Sequence, residues 1–290
     1  MSSRPPERGA YGFRLRGADV DVDGAQELLV DAPSSWPELE LRCRVDAGPL
    51  PEHESVCEQR AELRLTAGGS VAIERAPLRA EYALPRAVTP GALVHPHLAP
   101  VAAVAARWLG RESFHGGTVV IGGGAWALLG DKEAGKSSTL ASLALAGHGV
   151  LSDDLLVLDG CTALAGPRSI DLREQSAREL GAGEPLGRIG LRDRWRLTLD
   201  PVAAEVPLRG WIVLGWGDGP PSLTPIRGAD RLRQVVPHRA VRLLPADAAA
   251  LVVLSALPCF QLRRERTWSS LAGTTRLLVE RLPRGPATSR

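Results

Sequence analysis

Apolar and polar positions alternate along the first third of the chain. The runs Leu39-Glu40-Leu41-Arg42-Cys43 and Ala61-Glu62-Leu63-Arg64-Leu65 have period two, the mark of half-buried antiparallel strands, and Glu27-Leu28-Leu29-Val30 reads as a further strand. Gly68-Gly69 and proline-containing stretches separate them. This pattern predicts a smaller β-rich N-terminal domain over residues 1–97. Residues 90–100 read as a connector, and 101–109 as a helix opened by Pro100 and closed by Gly110. The pattern then changes. Apolar runs at 118–121 and 125–129 flank Gly122-Gly123-Gly124. A helical stretch over 137–146 stops at Gly147, and short apolar runs at 150–151 and 155–158 flank Asp153-Asp154. Downstream, 211–216 reads as a buried strand, 246–257 as a helix and 274–281 as a final helix or strand. Strands interleaved with helices predict an α/β domain over 98–290.

Composition narrows the function classes. Lys and Arg number 35 and Asp and Glu 33, a net charge of +2, so no broad basic stripe for a nucleic-acid backbone is expected. No run of 18 apolar residues occurs, so no membrane span is expected. The start, Met1 to Arg8, lacks an apolar signal segment, and the four dispersed cysteines show neither metal spacing nor disulfide density. A cytoplasmic protein with reduced thiols is the expectation. The Pro/Arg/Ser-rich stretches 1–10 and 282–290 are expected to fray. Only two of the 35 basic residues are lysines, Lys132 and Lys136, and both lie in one loop. A compact ammonium suits a phosphate site where a guanidinium fork does not fit.

That loop is Gly130-Asp131-Lys132-Glu133-Ala134-Gly135-Lys136-Ser137, which fits GxxxxGK[ST] between a strand and a helix. Glycines let backbone N–H groups turn inward around phosphate oxygens, and the helix N-terminus adds positive potential. Lys136 can reach the β and γ phosphates, and the Ser137 hydroxyl can ligate Mg²⁺. Ser138 completes the predicted nucleotide-binding run 130–138. The adjacent carboxylates of Asp153 and Asp154 at a strand end can divide two tasks, one holding the metal and the other accepting a proton from an attacking hydroxyl.

In this register the chain resembles the catalytic domain of the HPr kinase/phosphorylase family. His115-Gly116 precedes the first strand, Gly123 lies in the intervening turn, and the loop follows. Gly147-His148 then leads into Val150-Leu151-Ser152-Asp153-Asp154. The resemblance implies an HPr-kinase-like P-loop fold, with ATP as donor and Mg²⁺ as cofactor. Lys136 would then bind phosphates, Ser137 and Asp154 organise the metal, and Asp153 act as general base, with His115 beside the transferring phosphate. It also implies a ring-forming homo-oligomer as one option. His148 reads as structural. The family's Glu after the loop serine is Ser138 here, and its Glu-Ile-Arg-Gly element is not visible, although Arg168 and Arg173 stand in the downstream region. These departures, with an N-terminal region that matches nothing quotable, point to an acceptor other than HPr. The fitting acceptor is a Ser or Thr hydroxyl of another small protein or peptide, as in kinases that tailor ribosomally made peptides.

Two other functions fit the same residues: a metabolite kinase or carboxykinase-like enzyme, and a non-catalytic nucleotide-binding partner. Of seven tryptophans, Trp108, Trp126 and Trp211 read as core, whereas Trp36, Trp195 and Trp268 read as half-buried packing or as a peptide groove. The Arg-rich segment 191–196 serves either an acidic peptide or solvent.

Overall fold

The computed structural model describes residues 7–46, 48, 50–66, 68–189 and 192–283. Of the stretches expected to fray, 1–10 and 282–290, residues 1–6 and 284–290 lie outside that set, as does Leu191 of the Arg-rich segment, whereas Arg8–Ala10 is a strand with Ala10 buried and Leu282 is buried in a core. The chain is a mixed α/β structure with three sheets and seven α-helices among the described residues.

The first sheet has eight strands, in the order Val30–Asp31, Arg8–Ala10, Phe13–Gly17, Glu38–Val45, Arg79–Leu84, Ser70–Glu74, Arg60–Arg64 and Ser55–Val56. Alternation placed both runs in strands, and Arg60–Arg64 is antiparallel to both neighbours as expected. Glu38–Val45 pairs parallel with both neighbours, Phe13–Gly17 and Arg79–Leu84, rather than antiparallel. Period two reports which face is buried and is blind to strand direction. The expected strand at 27–30 is half correct, since Asp23–Leu28 is a 3₁₀ helix and only Val30–Asp31 is strand.

The connector expected at 90–100 is helical. Pro90–Ala92 and Leu93–His97 lead, across a kink at His95, into the helix Leu98–Trp108, so Pro100 lies inside its first turn. Nine of the eleven residues of that helix are buried. A helix apolar all round must sit between two layers, and this one belongs to a core that runs from Phe13, Leu39 and Ile73 of the first sheet to Phe114, Val157 and Trp211 of the second. Trp36, expected to be half-buried, is fully buried, and its indole N–H donates to Glu205 Oε1 at 2.7 Å across the two layers.

The second sheet positions the site. Glu112–Ile121 pairs with Gly124–Leu129 through its second half and with Leu155–Asp159 through its first. Glu205–Trp216 likewise meets Thr162–Leu164 with its start and Gly124–Leu129, in parallel, with its centre. Thr162–Leu164 pairs with Leu155–Asp159, so five strands close a ring. Cys259–Arg264 and Ser222–Ile226 extend it, and Val150–Ser152 adds to Glu112–Ile121. All six residues of Gly124–Leu129 are buried. Ala125, Ala127 and Leu129 face the first core, whereas Trp126 and Leu128 face a second core with Leu140, Ile212 and Leu278. Helices Lys136–Leu145 and Ser269–Arg281 cover that second face. A third sheet, in the order Ser169–Leu172, Arg192–Thr198 and Glu184–Ile189, flanks the loop.

The buried kink carries a pH-sensitive group. His97 is 5 % exposed, its Nδ1 has no partner, and burial pushes its pKa down to about 4. A histidine with a folded pKa below its unfolded value near 6.5 contributes stability that is complete above that value and is lost as pH falls toward 4. That amounts to about 3 kcal/mol over the interval. Urea midpoints measured from pH 8 to pH 4 should therefore fall more steeply for the parent than for His97→Phe. Parallel curves would contradict this.

Candidate functional site

The strand Gly124–Leu129 ends where the loop begins. A buried parallel strand delivers the loop rigidly, and Gly135 (φ +82°) caps the helix Lys136–Leu145 in the left-handed region. A Cβ on Gly135 would stand 2.5 Å from Arg264 Nη2 and 3.1 Å from Trp216 Cη2, so backbone strain and collision coincide there. Gly135→Ala should cost about 1–3 kcal/mol of stability, read by chemical denaturation. A variant as stable as the parent would contradict the packing described.

Lys136 Nζ folds back over the loop and donates to Gly130 O at 2.7 Å and Asp131 O at 3.1 Å. Burial lowers its pKa, opposed by the charges of Asp154, Asp153 and Asp131. The Ser137 hydroxyl donates to Asp153 Oδ1 at 3.1 Å. Asp153 is 9 % exposed. Its pKa is pushed up to about 7, first by burial, then by the charge of Asp154 and, more weakly, that of Asp171, against the lowering effect of the Ser137 hydrogen bond. Asp154 faces outward and lines a cleft of about 670 Å³. Lys132, Glu133, Gly135, Lys136, Ser137 and Ser138 line the same cleft.

The loop residues and both aspartates are therefore brought together, although Gly130, Asp131, Ala134 and Asp153 do not themselves line the cleft. His115 is exposed beside this group. It pairs with Leu155 in the ladder and lies near enough to depress His238 electrostatically, but it does not line the cleft. His148 closes the far end of the loop helix, its N–H donating to Leu143 O. Of the two downstream arginines, Arg168 is turned away onto Leu199 O, at 2.9 and 3.1 Å, whereas Arg173 lines the cleft.

Several site residues carry no local sequence signal. Arg264 is buried behind the loop. Its Nη2 donates to Thr139 Oγ1 at 2.9 Å and Ala134 O at 3.2 Å, and its guanidinium lies 4.3 Å from the Trp216 ring centroid. Burial pushes its pKa down to about 10. It joins the loop to the end of a strand some 130 positions later. Asp171 is held bidentately by Arg196, at 2.7 and 2.8 Å, with His95 Nε2 3.6 Å away. Buried Tyr11, in the turn between the strands Arg8–Ala10 and Phe13–Gly17 of the first sheet, lies close enough to Asp154 and Asp153 that their charges add to the burial that raises its pKa. The site is thus assembled from all three sheets. Among the described residues, the three non-glycine positions with positive φ are Tyr11, Glu133 and Asp154, and all three belong to it. Backbone held in that region gathers at sites whose surroundings over-determine it.

The paired carboxylates and the Ser137 hydroxyl fit a hard divalent cation. Asp153 and Asp154 add negative charge to one another, and the Ser137 hydroxyl reaches Asp153 Oδ1 at 3.1 Å. No group of three or more His, Cys, Asp or Glu residues forms a metal cage among the described residues. No helix among the described residues is long and apolar enough to cross a membrane.

No protein-family model matches the chain, and no curated protein matches it. Among solved structures, the Hpr(Ser) kinase/phosphatase from Coxiella burnetii is similar at a TM-score of 0.29 and 12% identity, over 59% of this chain and 96% of that one. A likeness at that level leaves the residues of the cleft to carry the functional reading.

Proposed function

We propose that the protein is an ATP- and Mg²⁺-dependent phosphotransferase acting on a Ser or Thr hydroxyl of a small protein or peptide, with residues 98–290 as its catalytic domain and 1–97 as a β-rich accessory domain. One observation carries the reading. A lysine and a serine at the first turn of a helix stand against a pair of carboxylates, and the Ser137–Asp153 contact is 3.1 Å. Phosphoryl transfer asks for little covalent chemistry from a protein. It needs positioned charge and a base for the attacking hydroxyl.

In this reading Lys136 exchanges its loop carbonyls for the β and γ phosphate oxygens, and the N–H groups of 130–138 turn toward them. Ser137 and Asp154 hold Mg²⁺, which when bound offsets phosphate charge in the transition state. Asp153 accepts the hydroxyl proton, and a carboxyl with a pKa near 7 suits that task at neutral pH. His115, exposed at the strand bend, helps orient the transferring group. Asp171, fixed by Arg196, keeps the negative wall behind the aspartates in place.

Intact-mass spectrometry of Ser-containing peptides incubated with the protein, ATP and Mg²⁺ tests the reading. A gain of one phosphate is expected. ATP binding without transfer to any peptide would overturn the peptide acceptor and favour the metabolite-kinase or non-catalytic alternatives.

A further inference from the structure

The cleft holds more cationic charge than the loop uses. Glu133, left-handed at φ +70°, extends its carboxylate toward the third sheet, into a group of three arginines. Arg173 Nη2 donates to its Oε1 at 2.8 Å, and the guanidinium nitrogens of Arg192 and Arg266 stand 3.8 Å from its oxygens. Only the first contact is a hydrogen bond, so one carboxylate faces three guanidiniums and leaves two of them with donors to spare. All three arginines keep between 40 and 69 % of their side chains exposed. They hold the Glu133 carboxyl below the usual range, Arg173 foremost. The arginines continue outward into a shallow groove lined by Arg173, Arg188 and Arg192 together with Glu174, Gln175 and Asp193, alongside the strand Glu184–Ile189. That strand ends its sheet and is exposed along nearly its whole length.

We propose that Arg173, Arg192 and Arg266 form an acceptor seat for an acidic side chain of the peptide substrate, and that Glu133 fills this seat in the free chain as an internal mimic of it. The proposal rests on the phosphotransferase reading for the identity of the ligand. Planar guanidinium forks match carboxylates in geometry as well as in charge. The seat belongs to the acceptor rather than the nucleotide because the loop amides and Lys136 already serve phosphate, whereas Glu133 points from the loop toward the groove. An incoming carboxylate displaces Glu133 and gains the donors that Glu133 leaves free. A neutral peptide has no such exchange to make. The seat thus selects a hydroxyl in an acidic sequence context.

Fluorescence anisotropy with the full chain tests this, using a labelled peptide with one serine between two runs of glutamate and its glutamine counterpart. The acidic peptide should bind at least about tenfold more tightly, as expected for charge-assisted hydrogen bonds, and lose that advantage at high salt. Glu133→Gln should tighten the acidic peptide alone, and Arg192→Gln should weaken it about tenfold. Thermal melting of each variant reports folding, and Arg173→Gln offers a second probe of the same seat. Equal binding of the two peptides, no binding of either, or weaker acidic binding in Glu133→Gln would overturn the proposal. Transfer assays on the same peptides keep the two ideas apart. Acidic binding that depends on the arginines, without transfer, supports the seat and removes the kinase. Transfer with equal KM for both peptides does the reverse.

Discussion

Lys136→Ala is expected to weaken ATP binding by at least about 100-fold and to remove transfer altogether. A buried charge-assisted contact to phosphate is worth about 3 kcal/mol or more once water is excluded. Lys132, the other lysine, also lines the cleft, but it lies in the loop three positions before the glycine that caps the helix rather than on the helix's first turn. In the free chain Lys136 bonds the carbonyls of Gly130 and Asp131, so the variant loses loop order as well as charge. Isothermal titration with ATP and Mg²⁺, paired with a melting curve, separates the two effects. A folded variant that binds ATP within threefold of the parent would remove the phosphate-loop reading and the function built on it.

Asp153→Asn is expected to lower transfer by about 10³-fold, within the range general bases supply, while ATP binding changes little. The amide keeps the size of the carboxylate and can still accept the Ser137 hydrogen bond, but it cannot take a proton. The same substitution has a second consequence of opposite sign. Asp153 has a folded pKa of about 7 against an unfolded value near 3.9. Its contribution is therefore complete at low pH and is lost as pH rises through 7. The parent should lose up to about 4 kcal/mol over that interval, and Asn avoids the loss. In metal-free buffer at pH 8, urea denaturation should find the inactive variant more stable than the parent. An active Asp153→Asn protein would move the base assignment elsewhere, Asp154 being next in line.

The two neighbouring aspartates show why this distinction needs the structure. In sequence they are equivalent. In the fold, Asp154 takes φ +72° and turns into the cleft, whereas Asp153 turns inward to Ser137. That difference leaves Asp153 desolvated, and burial pushes its pKa up. The three arginines around Glu133 are a similar case. Arg173 and the 191–196 segment that holds Arg192 stood out in the sequence, but nothing there grouped them with Arg266, since the three come from separate stretches of chain.

What the sequence determined by itself is local. The apolar run before Gly130, the glycine spacing of the loop and the helical run after Lys136 dictate a strand, a turn and a helix. Each depends on steric and hydrophobic preferences that act within about ten residues. The alternating runs of the first third likewise specify strands. The tertiary structure alone decided the parallel sense of Glu38–Val45, the burial of Trp36 and the helical form of residues 90–100. It also decided the placement of Arg264 beneath the loop and of Tyr11 behind the aspartates. Those features depend on contacts between residues from 24 positions apart, as Arg14 and Glu38 are, to 169, as Trp36 and Glu205 are, or on which layer covers a given face. No periodicity carries that information, because the free energy that selects it comes from burial shared among all three sheets rather than from any one segment.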